Sequence, residues 1–453
     1  MIGRWSSRMV RAFSRRQPPA PPPAAPPGTA PTRFSATFRA LRNRNYRLFY
    51  FGQMVSLSGT WMQTIAQAWL VLQITDSKVA LGTVTMLQFL PITIFVLFAG
   101  VIADRVPKRN FIIATQLLAM AQAVTLAALA WSGRVELWHV YTLAVVLGLA
   151  NAFEQPTRQA FVIELVGRDD LMNAVALNSG MFNAARLIGP AIGGVVIATV
   201  GVKVAFLFNG VSFLPVIAGL LLMDTSRLYA TPRTGAPRDN PVRELRDGLA
   251  YAFRTPATLL IVILMAFIGM FGINFTVMLP LVARYVLDGD AVALGFMTAA
   301  VGLGALIAAL SLASRTTATR RLLFAGGAAF GVLLLGVAVS HQLPVTLLLL
   351  VLLGVAHTSF ASTANTSMQL AAPDHLRGRV MSLYMLLLAG STPAGGYFTG
   401  FVAEHAGVST AVALNAGLCL AGVALGLVYY VRQRARIDVG PVTGQLSQAA
   451  SHQ

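Results

Sequence analysis

Charge is scarce in this sequence. Only 11% of its 453 residues are Asp, Glu, Lys or Arg, whereas 56% are hydrophobic. Because soluble domains typically carry about 25% charged residues, most of this chain must lie where ionisation is costly. Cysteine is equally rare, and the single Cys419 excludes a disulfide framework or a cysteine metal site within one chain.

Catalytic motifs are missing as well. No phosphate loop with Gly-Lys-Ser or Gly-Lys-Thr occurs, so the chain has no ATP motor of its own. The few polar residues in the hydrophobic part form neither a hydrolytic triad nor a cluster of His, Cys and carboxylates. We therefore expect a protein that is not an enzyme and that uses no metal and no cofactor.

Long hydrophobic runs recur along nearly the whole chain. Each is close to the ~20 residues needed to cross a ~30 Å hydrocarbon core as a helix. The sequence therefore predicts an all-α integral membrane protein with twelve transmembrane helices. The predicted helices span residues 46–74, 80–101, 110–131, 137–157, 173–199, 202–223, 257–285, 291–313, 322–340, 344–366, 378–402 and 409–431.

Two six-helix bundles and three polar segments make up the predicted organisation. Residues 1–36 lack the apolar core of a signal peptide and are basic and Pro-rich, so we expect a disordered cytoplasmic tail. Its arginines are either solvated or in contact with anionic lipid. The other parts are an N-terminal bundle at 37–224, a cytoplasmic linker at 225–256 with an amphipathic helix at 242–254, a C-terminal bundle at 257–431 and a cytoplasmic tail at 432–453.

Positive charge is distributed according to this topology. Of the 34 Lys and Arg residues, 29 fall on the side of the N-terminus. Four lie on the other side, namely Lys78, Arg134, Lys203 and Arg284, and Arg186 lies within a helix. The positive-inside rule then places both termini in the cytoplasm. The formal charge of +18 is spread between hydrophobic runs and does not form a basic domain, so we expect no nucleic-acid partner.

The two halves of the chain resemble each other. The stretch from Gly148 through NAFEQPTRQAF to DDLMNAVALNSG parallels the stretch from Gly354 through HTSFASTANTS to DHLRGRVMSLYM, about 205 residues later. Each is followed by a Pro/Gly-rich helix. Parallel six-helix repeats are typical of transporters, which bind substrate near the membrane midplane between the repeats.

The loop between the second and third predicted helices reads GVIADRVPKR, from Gly100 to Arg109. Gly100 lets two helices approach closely, and Asp104 can accept hydrogen bonds at the N-terminus of another helix. Arg105 and Arg109 are predicted to pair with acids such as Glu154. These groups form either a latch between the halves or ordinary topology charge on a short loop.

This loop resembles the signature loop of the major facilitator superfamily, with Pro107 at its usual second glycine. Within that superfamily, NAFEQPTRQAF is similar to the branch that contains the enterobactin exporter. The resemblance covers residues 37–431 and implies the superfamily's fold of two pseudo-symmetric six-helix bundles. It also implies that the helix facing Asp104 is the eleventh, which begins near Gly378.

Small residues line one face of the fifth predicted helix. Ala185, Gly189 and Gly193 follow an i, i+4, i+8 spacing, which allows close helix packing. Together with Pro190 and Gly194 they resemble the exporter motif of the superfamily, whose first two glycines are alanines here. The resemblance implies a bendable contact that seals the outer side, while ordinary small-residue packing is the alternative.

One charge lies deep in the same helix. Arg186 is about 18 Å along it, where a guanidinium is costly unless it faces a cavity or a partner. Ser179 and Asn183 share its helix face at i, i+4 and i+7 spacing. We interpret the three as substrate-binding residues, with a structural hydrogen bond of Arg186 to a neighbouring helix as the alternative.

The first predicted helix has a polar stripe that includes Gln53, Thr60 and Gln67. Neutral hydrogen-bonding groups beside tryptophans suit an amphipathic organic substrate, although interhelical hydrogen bonds would explain them too. Asn274 and His357 are further candidates of the same kind.

These observations together favour a secondary transporter that exports small amphipathic molecules, siderophores or drugs, across a bacterial plasma membrane. The expected mechanism is alternating access by a monomer in the bilayer, with protons as the coupling ion. Glu154, Asp104 or the substrate itself is expected to carry the proton. An importer on the same fold, a membrane sensor or scaffold, and a membrane enzyme are the alternatives.

Overall fold

The computed structural model describes residues 37–229, 241–313, 319–373 and 376–438. By its internal contacts the chain divides into the units Met1–Arg39 and Ala40–Gln453. Only residues 37–39 of the first unit are described, and all the long helices belong to the second. Within the described residues the secondary structure is helical throughout, with no strand.

Fifteen α-helices are present in this part of the chain. They are α1 (Arg44–Thr75), α2 (Lys78–Arg105), α3 (Lys108–Ser132), α4 (Leu137–Val166), α5 (Leu171–Val200), α6 (Val202–Leu221), α7 (Pro241–Arg254), α8 (Pro256–Phe267), α9 (Phe275–Tyr285), α10 (Ala291–Ala313), α11 (Arg320–Val339), α12 (Leu343–Ala371), α13 (Arg377–Leu388), α14 (Thr392–Ala406) and α15 (Val408–Asp438). Short 3-10 turns occur at Arg39–Arg42 and Thr225–Arg227. A π-helical turn at Ile268–Gly272 directly follows α8 and lies between α8 and α9.

Ten spans in the described residues are long and apolar enough to cross a membrane, with α8 through α9 counted as one. Two further crossings, α1 and the pair α13 and α14, complete the twelve that the sequence predicts. The first is 32 residues long but carries a polar stripe, and the second is broken. The expected all-α membrane fold is confirmed.

The predicted helices at 257–285 and 378–402 are each interrupted, which corrects two expectations of continuity. The first changes to a π turn and ends before Asn274, and the second breaks between Leu388 and Thr392. Both breaks lie together, because Gly269 faces the carbonyl of Leu387 and Gly395 faces that of Met270. Glycine at these two positions lets one backbone approach the other without a side chain between them.

We call the end of the bundle that holds residues 106–107, 167–170, 222–229 and 241–254 the linker end. The opposite end holds residues 76–77, 133–136, 286–290 and 340–342. The two halves of the chain contact each other mainly through α2 with α14 and α5 with α10. In a bilayer such contacts depend on close packing of small residues, because lipid tails are as apolar as the side chains.

These contacts are tight at the opposite end. A Cβ on Gly194 of α5 would lie 2.5 Å from the carbonyl oxygen of Ala291, and one on Gly400 of α14 would lie 2.6 Å from that of Lys78. Towards the linker end the halves diverge. No described heavy atom lies within 4 Å of a Cβ placed on Gly180 of α5 or on Gly378 of α13.

Polar groups also join the halves at the opposite end. Arg284 Nη2 lies 2.8 Å from Asp76 Oδ1, and the Tyr285 hydroxyl donates to the same oxygen at 2.7 Å. Glu404 Oε2 accepts from the backbone N–H groups of Lys78 at 2.6 Å and Val79 at 3.2 Å, at the N-terminus of α2. We call these six residues the end lock, since they bind α1 and α2 to α9 and α14.

Candidate functional site

Two adjoining cavities of about 290 and 280 Å³ lie near the middle of the bundle. They share part of their lining, namely Trp61, Thr64, Ala68, Phe89 and Thr276, and together form a central cavity. The larger we call the amide lobe, lined by Gln53, Thr60, Gln67, Gln88, Gln116, Glu154 and Arg158 among others. The smaller we call the arginine lobe, lined by Arg186, Phe275, Thr298, His357 and Thr392 among others.

The amide lobe is built from one polar face of α1 and the helices around it. Gln67 Nε2 donates to Gln88 Oε1 of α2 at 3.1 Å, so this amide pair bridges two helices. Gln53 is buried, and its Oε1 has no hydrogen-bond partner among the described residues. Thr60 donates to the carbonyl of Ser56 within its own helix. The lobe therefore offers neutral hydrogen-bonding groups, as the stripe on the first helix predicts.

A charged pair lies in the wall of the amide lobe. Glu154 Oε1 is 3.0 Å from Arg158 Nε, one turn later on α4, and Gln116 Nε2 donates to the same oxygen at 3.4 Å. The side chains are only 13% and 16% exposed. Because the two charges cancel, this lobe is close to neutral.

The predicted pairing of Arg109 with Glu154 is not found in this structure. Arg109 donates instead to the carbonyl oxygens of Leu220 at 2.6 Å and Leu221 at 3.3 Å. These carbonyls end α6, where no further helical N–H is available to bond them. Arg109 thus caps a helix, and Glu154 faces the cavity.

The arginine lobe is largely apolar around two basic side chains. The Arg186 guanidinium lies 5.6 Å from the centre of the Trp61 ring. No ion pair or hydrogen bond in the described part of the chain involves it. His357 lies between Phe275 and Phe330, each 5.9 Å away between ring centres, and its Nε2 is buried without a described partner.

Three other predicted substrate residues do not line either lobe. Ser179 is exposed, and its carbonyl accepts from Asn183 Nδ2 at 2.9 Å within α5. Asn274 is buried beside the break between α8 and α9, where Nδ2 donates to the Met270 carbonyl at 2.6 Å. This bond to a carbonyl four residues earlier gives Asn274 a local structural contact.

The predicted packing motif on α5 faces two partners. All five of its residues are buried, namely Ala185, Gly189, Pro190, Gly193 and Gly194. Gly189 and Gly193 contact α1. A Cβ added to Gly189 would lie 2.6 Å from the backbone carbonyl oxygen of Ser58, and one added to Gly193 would lie 2.8 Å from the Met62 side chain. Gly194 abuts α10 in the other half. The motif therefore holds α5 against its own half and against the second half at once.

Most of the predicted latch cannot be described from its side chains. Gly100, Asp104 and Arg105 lie in α2 at the linker end, and their side chains are outside the described residues. Gly378 is in the first turn of α13, as the resemblance implies for the start of that helix. No group of three or more His, Cys, Asp or Glu residues that could hold a metal ion occurs among the residues searched.

The helical membrane fold agrees with the family that sequence comparison finds. The family described as transmembrane secretion effector matches residues 35–448, nearly the whole chain. The chain belongs to that family. The resemblance to the major facilitator superfamily is thereby confirmed, and the chain is a multi-pass membrane protein of a transporter family.

Two curated relatives show how the family members are described. The chain is 30% identical over 397 residues to the "Multidrug efflux pump Tap" of Mycolicibacterium fortuitum, covering 83% of this chain and 93% of the relative. It is 25% identical over 391 residues to the "Staphyloferrin A transporter" of Staphylococcus aureus, covering 86% and 96%. Among solved structures, the peptide transporter family member PepTSo superposes with a TM-score of 0.70 at 15% identity, over 87% of this chain and 99% of that one. That likeness concerns the fold alone.

Several residues of the cavity in this family member are not evident from sequence. They are Gln88, Gln116, Arg158, Thr276, Thr298 and Thr392. Arg158 comes one residue after the predicted end of the fourth helix at residue 157, so the sequence predicts that it lies in a cytoplasmic loop. Because α4 continues to Val166, Arg158 instead lies on the helix face of Glu154. The amphipathic spacing of Glu154 and Arg158 is the signal that could have revealed it.

Proposed function

We propose that this protein is a secondary active transporter that exports small amphipathic molecules, siderophores or drug-like compounds, by alternating access. The observation that carries the proposal is the central cavity, which combines amide and threonine groups with aromatic walls between two repeats. A cavity of this composition suits an amphipathic organic molecule. Relatives described as a multidrug efflux pump and a staphyloferrin A transporter support the same substrate range.

Charge and packing support the orientation and the open end that the proposed export requires. The positive-inside rule places the termini, and hence the linker end, in the cytoplasm of a bacterial cell. The end lock and the glycine contacts of Gly194 and Gly400 then close the external side. In this conformation a substrate enters the central cavity from the cytoplasm, which is the loading state of an exporter.

Release to the outside requires the reverse arrangement. The end lock must open while α5 and α10 close at the linker end, where Gly180 now faces no described atom. Asp104 with Arg105 at the linker end is the proposed latch for that second state, at the N-terminus of α13 near Gly378. The two breaks near Asn274 and at residues 389–391 supply bending points in the second half.

Proton coupling is the second part of the proposal. Glu154 is the preferred carrier, because its carboxylate lies in the wall of the amide lobe and is held by Arg158. Protonation of Glu154 would release Arg158 and change the charge of the lobe. A monomer in the lipid bilayer suffices, since one chain encloses the whole cavity.

Transport in oriented vesicles tests the proposal. Everted vesicles with an acidic interior should accumulate members of a panel of fluorescent drug-like compounds and siderophores, whereas right-side-out vesicles should not. The opposite pattern would support the importer, and no movement in either would favour a sensor or scaffold. Arg186→Gln should reduce transport strongly at unchanged membrane levels, while Lys203→Gln, at the opposite end beside Trp131, should transport as wild type does.

A further inference from the structure

We infer that the arginine lobe is an anion site, so that the exported substrates carry a carboxylate or a similar organic anion. That the bound anion is an exported substrate rests on the proposed function. That the lobe binds an anion rests on the residues that line it. The inference selects one class of substrate. The site favours anionic amphipathic molecules over the cationic compounds that a drug exporter could equally carry.

The first step concerns the charge of the lobe. Among the described residues, its lining contains Arg186 and His357 but no Asp or Glu. Glu154, in the wall of the adjoining amide lobe, is already paired with Arg158 at 3.0 Å. The guanidinium of Arg186 is therefore the one uncompensated charge of the central cavity's described lining, so the cavity as a whole attracts an anion.

The second step concerns the unused donors. Among the described residues no acceptor bonds the Arg186 guanidinium, which has five N–H groups in a planar fork that suits a carboxylate. A membrane-embedded arginine with no partner is costly, and a mobile partner is the usual reason to retain one. Packing against Trp61 at 5.6 Å orients the guanidinium without using its N–H groups.

The third step concerns the second basic group. His357 reaches the same lobe from α12 in the other half, and its Nε2 is buried without a described partner. A buried polar atom without a partner carries a cost that a bound ligand would remove. Arg186 on α5 and His357 on α12 thus offer an anion one contact from each half, which is how a substrate would sense their relative movement.

The other residues that line the central cavity indicate what the rest of the substrate is like. Phe89, Phe275 and Leu279 give an apolar surface beside the basic pair, and the amide lobe with Gln67 continues it. We therefore expect a substrate whose anionic group binds Arg186, whose apolar body lies against the aromatic rings, and whose neutral polar groups reach the amides.

A matched pair of probes tests this inference. Naphthylacetate and its neutral counterpart naphthylacetamide are titrated against purified full-length protein in nanodiscs of zwitterionic phosphatidylcholine, which supply no competing lipid anion. The wild type should bind the carboxylate about tenfold to a hundredfold more tightly than the amide. In Arg186→Gln this ratio should fall to about one with the amide affinity unchanged, and His357→Gln should lower it severalfold. Lys203→Gln is the control and should keep the wild-type ratio.

A wild-type ratio near one would overturn the inference, and this outcome needs no variant to fold. A ratio that survives in Arg186→Gln would overturn it as well. Export of the two probes from everted vesicles is measured in parallel. Transport with no preference for the carboxylate contradicts the anion site and leaves the transporter in place, whereas an intact binding ratio without transport supports the anion site and contradicts the proposed function.

Discussion

The same pairs of helices are packed differently at their two ends. At the opposite end α5 meets α10 at Gly194, where even a methyl group would lie 2.5 Å from a carbonyl oxygen. At the linker end the same helix presents Gly180, where a methyl group would meet no described atom within 4 Å. The close contact therefore explains glycine at position 194, whereas at Gly180 no contact with a described residue requires it.

Charged side chains also differ between regions of the bundle. The opposite end is held by Asp76, Arg284 and Glu404, all near water and all joining one half to the other. In the middle, Arg186 lies in the cavity with no ion-pair partner among the described residues. Exposed ion pairs contribute little and are easily broken. The end lock therefore suits the opening that the proposed alternating access requires, while the glycine packing determines how closely the halves fit.

The identity of the two ends is the prediction with the largest expected effect. Alkaline phosphatase fused after residue 438, or in the linker after residue 228, should be inactive, because both sites lie at the cytoplasmic end by the positive-inside rule. Phosphatase inserted at Gly133, at the opposite end, should be active. A fluorescent protein at the same positions should give the reverse pattern. Activity at the C-terminus would reverse the ends and with them the direction of transport.

The glycine comparison gives the next largest effect. Gly194→Val places methyl groups against the Ala291 carbonyl, and overpacking of this kind costs about 1–3 kcal/mol. We expect the closed opposite end to be destabilised and transport to fall by about tenfold or more. Gly180→Val, in the same helix, is the matched control for the present conformation. It should leave thermal stability unchanged, and any effect on transport would come from the second conformation.

Equal loss of thermal stability in both valine variants would contradict the comparison. It would mean that the helix responds to valine in general and that the contact at Gly194 has no special role. Normal transport in Gly194→Val would contradict tight closure of the opposite end.

The end lock gives the smallest effect. Asp76→Asn removes the ion pair with Arg284 but keeps the left-handed backbone, since Asn adopts a φ near the observed 51° readily. Accessibility of a cysteine at residue 200 should rise by less than about fivefold. Asp288→Asn is the control, because Asp288 also has a positive φ of 45° and lies outside the lock.

The pH dependence of the lock has a defined sign. The hydrogen bond from Tyr285, helped by the charge of Arg284, lowers the pKa of Asp76. The interaction is therefore fully present above the ordinary Asp pKa of about 3.9 and is lost only as the pH falls through the lowered value. Accessibility at residue 200 should not change between pH 8 and pH 5. A change within that window would assign the titration to another group.

Much of the fold could be predicted because the membrane imposes a simple rule. A helix must be about 20 residues long and apolar, so runs such as 291–313 are recognised directly, and α10 has those bounds. The breaks near Asn274 and Ser391 could not be predicted in this way. The break near Asn274 leaves the hydrophobic run intact, so it gives no such signal. The break near Ser391 is signalled only by Pro393 in the first turn of α14, where proline is tolerated, and not by any loss of hydrophobicity.

The site could be predicted only where its residues are unusual in a membrane. Arg186 is conspicuous because a charge in an apolar run is costly, and the glutamines of α1 because they repeat on one face. Thr298 lines the cavity but gives no such signal, since it donates to its own Leu294 carbonyl as threonines in membrane helices commonly do. The spacing of Ser179 and Asn183 places them on the same face of α5 as Arg186. They nevertheless lie nearer the linker end, where the two halves diverge, and do not line the cavity.

The most direct test of the central claim, that one cavity is exposed alternately at the two ends, is a pair of distances in one protein. In a Cys419→Ser background, spin labels at Val175 and Leu310 report the linker end of α5 and α10, and labels at Val200 and Asp290 report their opposite end. Pulsed electron paramagnetic resonance is recorded in nanodiscs, with and without a transported substrate at different pH. The account predicts reciprocal changes, in which the linker-end distance shortens in the population whose opposite-end distance lengthens. Distances that stay fixed at both ends under conditions that support transport, or that change in the same direction, would contradict it.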